Sequence, residues 1–283
     1  MEWLDRMNKA LVYMENNLDG DLSLEKAAQI AALTQYQFQR IFSYMANMPL
    51  SVYLRQRRLT KAALDLQKGD KVIDVSLRYN YESPTAFNRA FQAVHGITPS
   101  AAQKPDTVLK AFPRISFQIM IKGEKEMEYR IVKKEAFRVV GVCAPLSKDC
   151  DENYEFVPGF WSSTRESGII TKMIEMINAE PMGMLGVMTG SIEKEDRYYY
   201  IAVSTDKPVP DGMLEFTVPA SEWAIFTGSG TSSSIKDLEK RIFTEWLPTS
   251  GYEWANSPDI EVFLNDHPTE IKYEVWVPIT KKA

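Results

Sequence analysis

The sequence is poor in the residues that most chemistry needs. It has two cysteines, Cys143 and Cys150, and two histidines, His95 and His267, in 283 residues. Two cysteines make no disulfide framework, and no grouping of Cys, His and acids has metal-ligand spacing. There is no glycine-rich phosphate loop and no nucleophile elbow. No apolar run nears the roughly 18 residues that span a bilayer. The amphipathic, acid-bearing start MEWLDRMNKALVY excludes a signal peptide. These absences point to a cytoplasmic protein with no membrane partner, no metal and no cofactor, and not to an enzyme.

What remains is ordinary globular composition, with 45% hydrophobic and 25% charged residues. Such a length suits about two domains. The formal charge of −5 is uneven: residues 1–106 hold 13 basic and 11 acidic residues (+2), leaving 20 and 27 (−7) for the rest. A basic-leaning half joined to an acidic half suits two domains with different partners.

Residues 1–106 read as short helices with clear stops. Helices are expected from about Trp3 to Asn17, after Ser23, from Thr34, and from Leu50 to Gln67, with glycines at 20 and 69 as terminators. Thr34 and Gln37 have capping-box form, and Ser83-Pro84 opens another helix. A shift of 49 residues lays one helix pair on the next: Thr34 on Ser83, Phe38 on Phe87, Arg40 on Arg89, Phe42 on Phe91. Each copy is a helix-turn-helix. Phe38, Ile41, Phe42 and Met45 form a buried stripe at helical spacing, as do Phe87, Ala90, Phe91 and Val94. Tyr36, Gln39, Arg40 and Ser43 are left outward on the first helix, and Thr85, Asn88, Arg89 and Gln92 on the second. Arg and Gln suit guanine and adenine edges, and neither face carries an acid. A solvated face explains one such helix, but two in register favour double-stranded DNA. The 18-residue helix between them spans ~27 Å, near the ~34 Å of one DNA turn. Its Arg55, Arg57, Arg58 and Lys61 are candidate phosphate contacts.

Residues 5–103 resemble the DNA-binding domain of AraC/XylS-family regulators, through LSLEKAAQIAALTQYQFQRIFSYMANMPLSVYLRQRRLTKAA and VIDVSLRYNYESPTAFNRAFQAVHGITPSAAQ. The resemblance implies base contacts from Tyr36, Gln39 and Arg40, then Thr85 and Arg89. It also implies a DNA operator as partner, and RNA polymerase if the chain is an activator. Pro84 and Thr85 depart from a Gln pair in close relatives, and Tyr36 from a Trp. The domain stands first here, whereas most members place it last.

Residues 107–126 read as a junction, in which ISFQIMIKG has strand character. From residue 127 the texture is that of strands, and it repeats. MEYRIVKKEAFRVVGV (127–142) matches MLEFTVPASEWAIFTG (213–228) without a gap. Helices are expected at about 168–178 and 235–246, each followed by two strands. RYYYIAVS aligns with KYEVWVPI, bringing Tyr200 near the position of Glu274. The fold class is therefore multidomain, all-α then α+β, the latter of two ββαββ-type halves. Alternation along the last two strands assigns Ile260, Val262, Leu264, Tyr273, Val275 and Val277 to the core. It groups Glu261, Phe263, Glu274 and Trp276 on a second face. Acids among aromatics suit an organic cation, with Tyr200 and Trp161 as further walls.

Residues 127–283 resemble the GyrI-like domain in EYRIVKKEAFRVVGV, EWAIFTGSG, DIEVFL and KYEVWVPI. This implies a hydrophobic, often cationic effector near an acid on a late strand, with Glu274 the best match by position. The alternative it implies is hydrolysis of an electrophilic small molecule by such an acid, as in some standalone relatives.

Overall fold

The computed structural model describes residues 2–118, 126–147, 150–189, 197–265 and 270–282. The chain forms two compact units, residues 1–120 and 121–283.

The first unit is helical: α1 (Glu2–Asn16), α2 (Leu24–Ile30), α3 (Gln35–Ala46), α4 (Leu50–Gln67), α5 (Val72–Arg78), α6 (Pro84–His95) and α7 (Pro99–Ala102). The expected starts form as written. Thr34 and Gln37 close a reciprocal capping box on α3. The Ser83 hydroxyl accepts from the Ala86 amide above Pro84, and α6 ends on Gly96 at φ 77°, where a side chain is disfavoured. Phe38, Ile41 and Phe42 are fully buried, as are Phe87 and Phe91.

Three of the four basic residues on α4 serve the fold instead of facing outward. Arg57 pairs with the buried Glu15 carboxylate at 2.8 Å and also bonds the Phe112 carbonyl. Lys61 donates to the Glu15 carbonyl, and Arg58 to that of Leu18. Only Arg55 of the four is exposed. Burial raises the Glu15 pKa, but hydrogen bonds from Arg57 and Tyr53 outweigh it and hold the carboxyl below its ordinary value. The Tyr53 hydroxyl, buried and bonded to Glu15, is pushed up to about 12.

The junction also differs from expectation. Residues 115–118 form no strand. Phe117 is buried in the first unit, its ring 5.7 Å from Phe42. The remainder of ISFQIMIKG, 119–123, lies outside the described residues.

Among the described residues the second unit is one nine-stranded antiparallel sheet with helices on one face. Its elements are β1 (Tyr129–Lys134), β2 (Phe137–Pro145), α8 (Cys150–Glu166), α9 (Ile169–Met176), β3 (Met184–Met188), β4 (Tyr198–Ser204), β5 (Leu214–Val218) and β6 (Ser221–Gly230). Then come α10 (Ser232–Arg241), a π turn (Ile242–Trp246), α11 (Leu247–Thr249), β7 (Tyr252–Trp254), β8 (Asp259–Phe263) and β9 (Ile271–Lys281). The order is β1-β6-β9-β8-β3-β4-β2-β5, with β7 also on β9. Helix α8 and strand β7 were not foreseen.

The repeat has a structural meaning. The first strand of each half pairs with the other half's second strand: Val132 lies opposite Trp223, and Val218 opposite Phe137. These are equivalent positions of the two copies. The halves meet where Leu185 faces Val262. The same pairings place Ala202, not Tyr200, at the position equivalent to Glu274, since Gly141 opposes Ala202 as Thr227 opposes Glu274. Leu264, expected in the core, is 50% exposed because β8 ends at Phe263.

One histidine carries a testable charge. His95 Nε2 donates to the Leu59 carbonyl (3.1 Å) and its Nδ1 accepts from the Lys110 amide (3.3 Å), so the ring is neutral. Burial holds its pKa below 6.5. A depressed folded pKa gives stability that is present above about pH 6.5 and lost as pH falls toward the folded value. Denaturant melts of the first unit's helices should weaken from pH 7 to pH 5, and His95→Gln should remove that part of the slope.

Candidate functional sites

Directly opposed residues of antiparallel strands point to the same side of a sheet. Ile260 opposes Trp276, Val262 opposes Glu274, Glu261 opposes Val275 and Phe263 opposes Tyr273. Glu274 and Trp276 therefore share one face with Ile260 and Val262. Glu261 and Phe263 share the other with Tyr273 and Val275. The grouping of all four into one pocket is corrected by this register: alternation along each strand is right, but the two strands are offset by one position.

The Glu274 face is where the sheet curls on itself. Its core is built from strand residues alone, among them Val139, Leu185, Val262, Trp223 and Trp276. Trp276 of β9 reaches Phe137 of β2 at 6.4 Å between ring centroids. Glu274 is engaged twice, by Arg130 at 2.8 Å and by the Trp276 indole N–H at 2.8 Å. Tyr200 lies on the same face, 5.3 Å from Phe216. Burial, with Cys143 beside it, raises its hydroxyl to about 12.

The Glu261 face is covered by helices. Ile170, Met173 and Met176 of α9 pack on Val140, Ile201 and Val203, with Trp161 of α8 and Phe263 at the margin. Here a directed chain forms. The Trp161 indole N–H donates to the Tyr199 hydroxyl at 3.0 Å, and that hydroxyl donates to Glu261 Oε2 at 3.0 Å. Trp161 meets Phe263 edge to face at 5.0 Å. Burial and the Glu261 charge drive the Tyr199 pKa far up, so the phenol stays a donor. Tyr199 was missed in sequence. It sits among three consecutive tyrosines, and periodicity alone does not say which of them faces the acid.

The position opposite Glu261 is Gly186. A Cβ there would lie 2.2 Å from the Tyr199 hydroxyl and 2.9 Å from Glu261 Oε2. A strand glycine where another group approaches closely is the expected use of its missing side chain. Gly186→Ala should therefore push the phenol off Glu261 and shift the Trp161 emission, read against a Trp161→Phe control, while the far-UV spectrum is kept.

In the first unit the two outward faces differ. On α6, Thr85, Arg89 and Gln92 are exposed and Asn88 half-buried, with Gln92 donating to Asn88. On α3, Tyr36 and Ser43 are half-buried, and Gln39 and Arg40 are buried. The α3 face is thus less exposed than that of α6. Arg40 lies over the rings of Tyr36 and Tyr44, its Nε donating to the Tyr44 hydroxyl at 3.1 Å. This i,i+4 pairing draws the guanidinium along its own helix.

Among the described residues no helix is long and apolar enough to cross a membrane, and no group of acids, histidines and cysteines has the makings of a metal site.

Comparison with known proteins divides the chain at the same place. A helix-turn-helix domain family matches residues 27–104, and the GyrI-like small molecule binding domain family matches residues 127–280. The HTH-type transcriptional activator AarP of Providencia stuartii is 39% identical over 102 residues, 36% of this chain and 76% of its own. The transcriptional regulator Rob of Salmonella typhimurium is 24% identical over 292 aligned positions, 96% of each chain. A solved structure of a putative transcription regulation protein from Staphylococcus aureus covers 55% of this chain and 99% of its own, at 18% identity and a TM-score of 0.47.

Proposed function

This chain belongs to the AraC-type helix-turn-helix transcriptional regulators that carry a C-terminal GyrI-like small-molecule-binding domain, and within that family we propose that it senses a hydrophobic cation through Glu261. The observation that carries this is the Trp161–Tyr199–Glu261 relay with Phe263 beside it. Aromatic faces attract a cation, by about 2 kcal/mol or more once it is desolvated. A carboxylate in a site of low polarity supplies the neutralising charge. A phenol donating to that carboxylate fixes its orientation.

Glu274, the stronger candidate by motif position, suits this role less well. Its oxygens are held by a guanidinium and an indole on the curled face, and a ligand cation there would have to displace Arg130. Tyr200 and Trp276 belong with that structural cluster, and Trp161 and Phe263 with Glu261. The relatives are named as transcriptional regulators, which favours sensing over hydrolysis.

The DNA partner is a duplex operator read by α6 through Thr85, Asn88 and Arg89, and by α3 through Tyr36, with Gln39 and Arg40 joining only once Arg40 leaves the Tyr36 and Tyr44 rings on which it lies. RNA polymerase joins as a partner if the chain activates.

The ligand reading is tested by calorimetry with tetraphenylphosphonium as probe. Losing one partner of a desolvated charge pair costs about 2–5 kcal/mol, so Glu261→Gln should weaken binding roughly 30-fold or more. Glu274→Gln should leave it unchanged; the reverse pattern would move the site to the curled face. For DNA, Arg89→Ala should weaken specific binding by ~1–3 kcal/mol while barely altering nonspecific binding, as measured by fluorescence anisotropy on selected and scrambled duplexes.

A further inference from the structure

The segment that follows α7 is tied to the first unit by side chains along its whole course. Thr107 is anchored to the Ala101 and Lys104 carbonyls, and Leu109 packs against the core of Leu59, Phe87 and Phe91. The Lys110 amide bonds His95, the last residue of α6. The Phe112 amide bonds the Thr60 hydroxyl (3.1 Å), and its carbonyl takes Arg57. The Ile115 amide reaches the Tyr53 hydroxyl at 3.4 Å. Asn8 of α1 then holds both the amide (2.9 Å) and the carbonyl (3.0 Å) of Phe117, whose ring packs on Phe42 of α3.

Tyr53, Arg57 and Thr60 are spaced i, i+4, i+7, so they form one stripe of α4. The segment starts on the core of the second helix-turn-helix, runs along that stripe, and ends in the core of the first. Beyond Thr107, whose hydroxyl bonds backbone carbonyls, the segment's backbone is held by side chains, so its course is specified residue by residue. Buried Glu15 braces the middle, holding Arg57 and Tyr53 together.

We propose that residues 107–117 are a strap that fixes the spacing and mutual orientation of α3 and α6, and that Asn8 and Thr60 are positioning residues for DNA reading. The inference rests on both helices reading DNA. With two heads on one chain, the second binding event is intramolecular, and its gain depends on how well the heads match the spacing of the half-sites. A rigid match gives high affinity at one spacing. A loosened pair gives lower affinity over several spacings.

The test uses the full-length chain and a duplex that the wild type selects from a random library. Variants are Asn8→Ala and the near-isosteric Thr60→Val, so that failure of one to fold leaves the other. Each is measured on the paired site, on each half-site alone, and on paired sites lengthened or shortened by single base pairs. Affinity for the paired site should fall on the order of tenfold, half-site affinity should hold, and the spacing optimum should broaden. An unchanged spacing profile in folded variants overturns the strap, as does an equal loss on isolated half-sites. A wild type with no preference for paired over single half-sites overturns the two-headed reading itself, and the strap with it.

Discussion

The register between β3 and β8 is the constraint on which the second unit depends. Leu185 opposite Val262 joins the two halves, and every residue then takes a face by alternation. Because Gly186 falls opposite Glu261, there is room for the Tyr199 hydroxyl at the carboxylate. A slip of one residue would exchange the two faces of β8, placing Glu261 in the strand-lined core and Val262 beneath the helices. Such a slip would bury a carboxylate among Trp223, Trp276 and Val139, at a cost of several kcal/mol. The pairing is thus held by aliphatic burial on one side and acid placement on the other.

The first unit depends on a different kind of constraint, a buried ion pair. Glu15 and Arg57 are nearly excluded from water, and such pairs often gain little net stability over an apolar replacement. What this one gains is specificity of placement. The carboxylate also accepts from Tyr53, and the guanidinium also donates to Phe112. Four groups from α1, α4 and the following segment are thereby locked in one arrangement. An apolar cluster of equal volume would pack but would not choose the register of the segment along α4.

Much of this was legible in sequence, for physical reasons. Helix periodicity, caps and the 49-residue repeat define α2, α3, α5 and α6, because each signal is local. The 86-residue repeat exposes the pseudo-symmetric sheet. What was not legible is whatever depends on partners distant in sequence. Arg57, Arg58 and Lys61 look like any charged helix face, and only the fold reveals that Glu15 and the Leu18 carbonyl claim them. The strand character of ISFQ is real as composition, but Phe117 finds a better partner in Phe42. Strand alternation told which residues alternate, not how one strand lies against the next, so Glu261 and Glu274 were grouped together although the register separates them.

That separation explains why two acids only 13 positions apart in sequence have different fates. Both stand among aromatics, and composition cannot tell them apart. Glu274 lies at the rim of a core made of strands, where β1 brings Arg130 alongside. Its charge is satisfied within the sheet, and its indole bond fixes Trp276 in the core. Glu261 lies under helices, where the facing surface is supplied by α8 and α9. Helices packed on a sheet can shift by an ångström or two without breaking a ladder of backbone hydrogen bonds, whereas a curled sheet cannot. On the proposed reading, a ligand at Glu261 meets adaptable walls, whereas one at Glu274 would meet rigid ones. The acid that suits a sensor is the one whose surroundings can move, and a local sequence motif does not record which one that is.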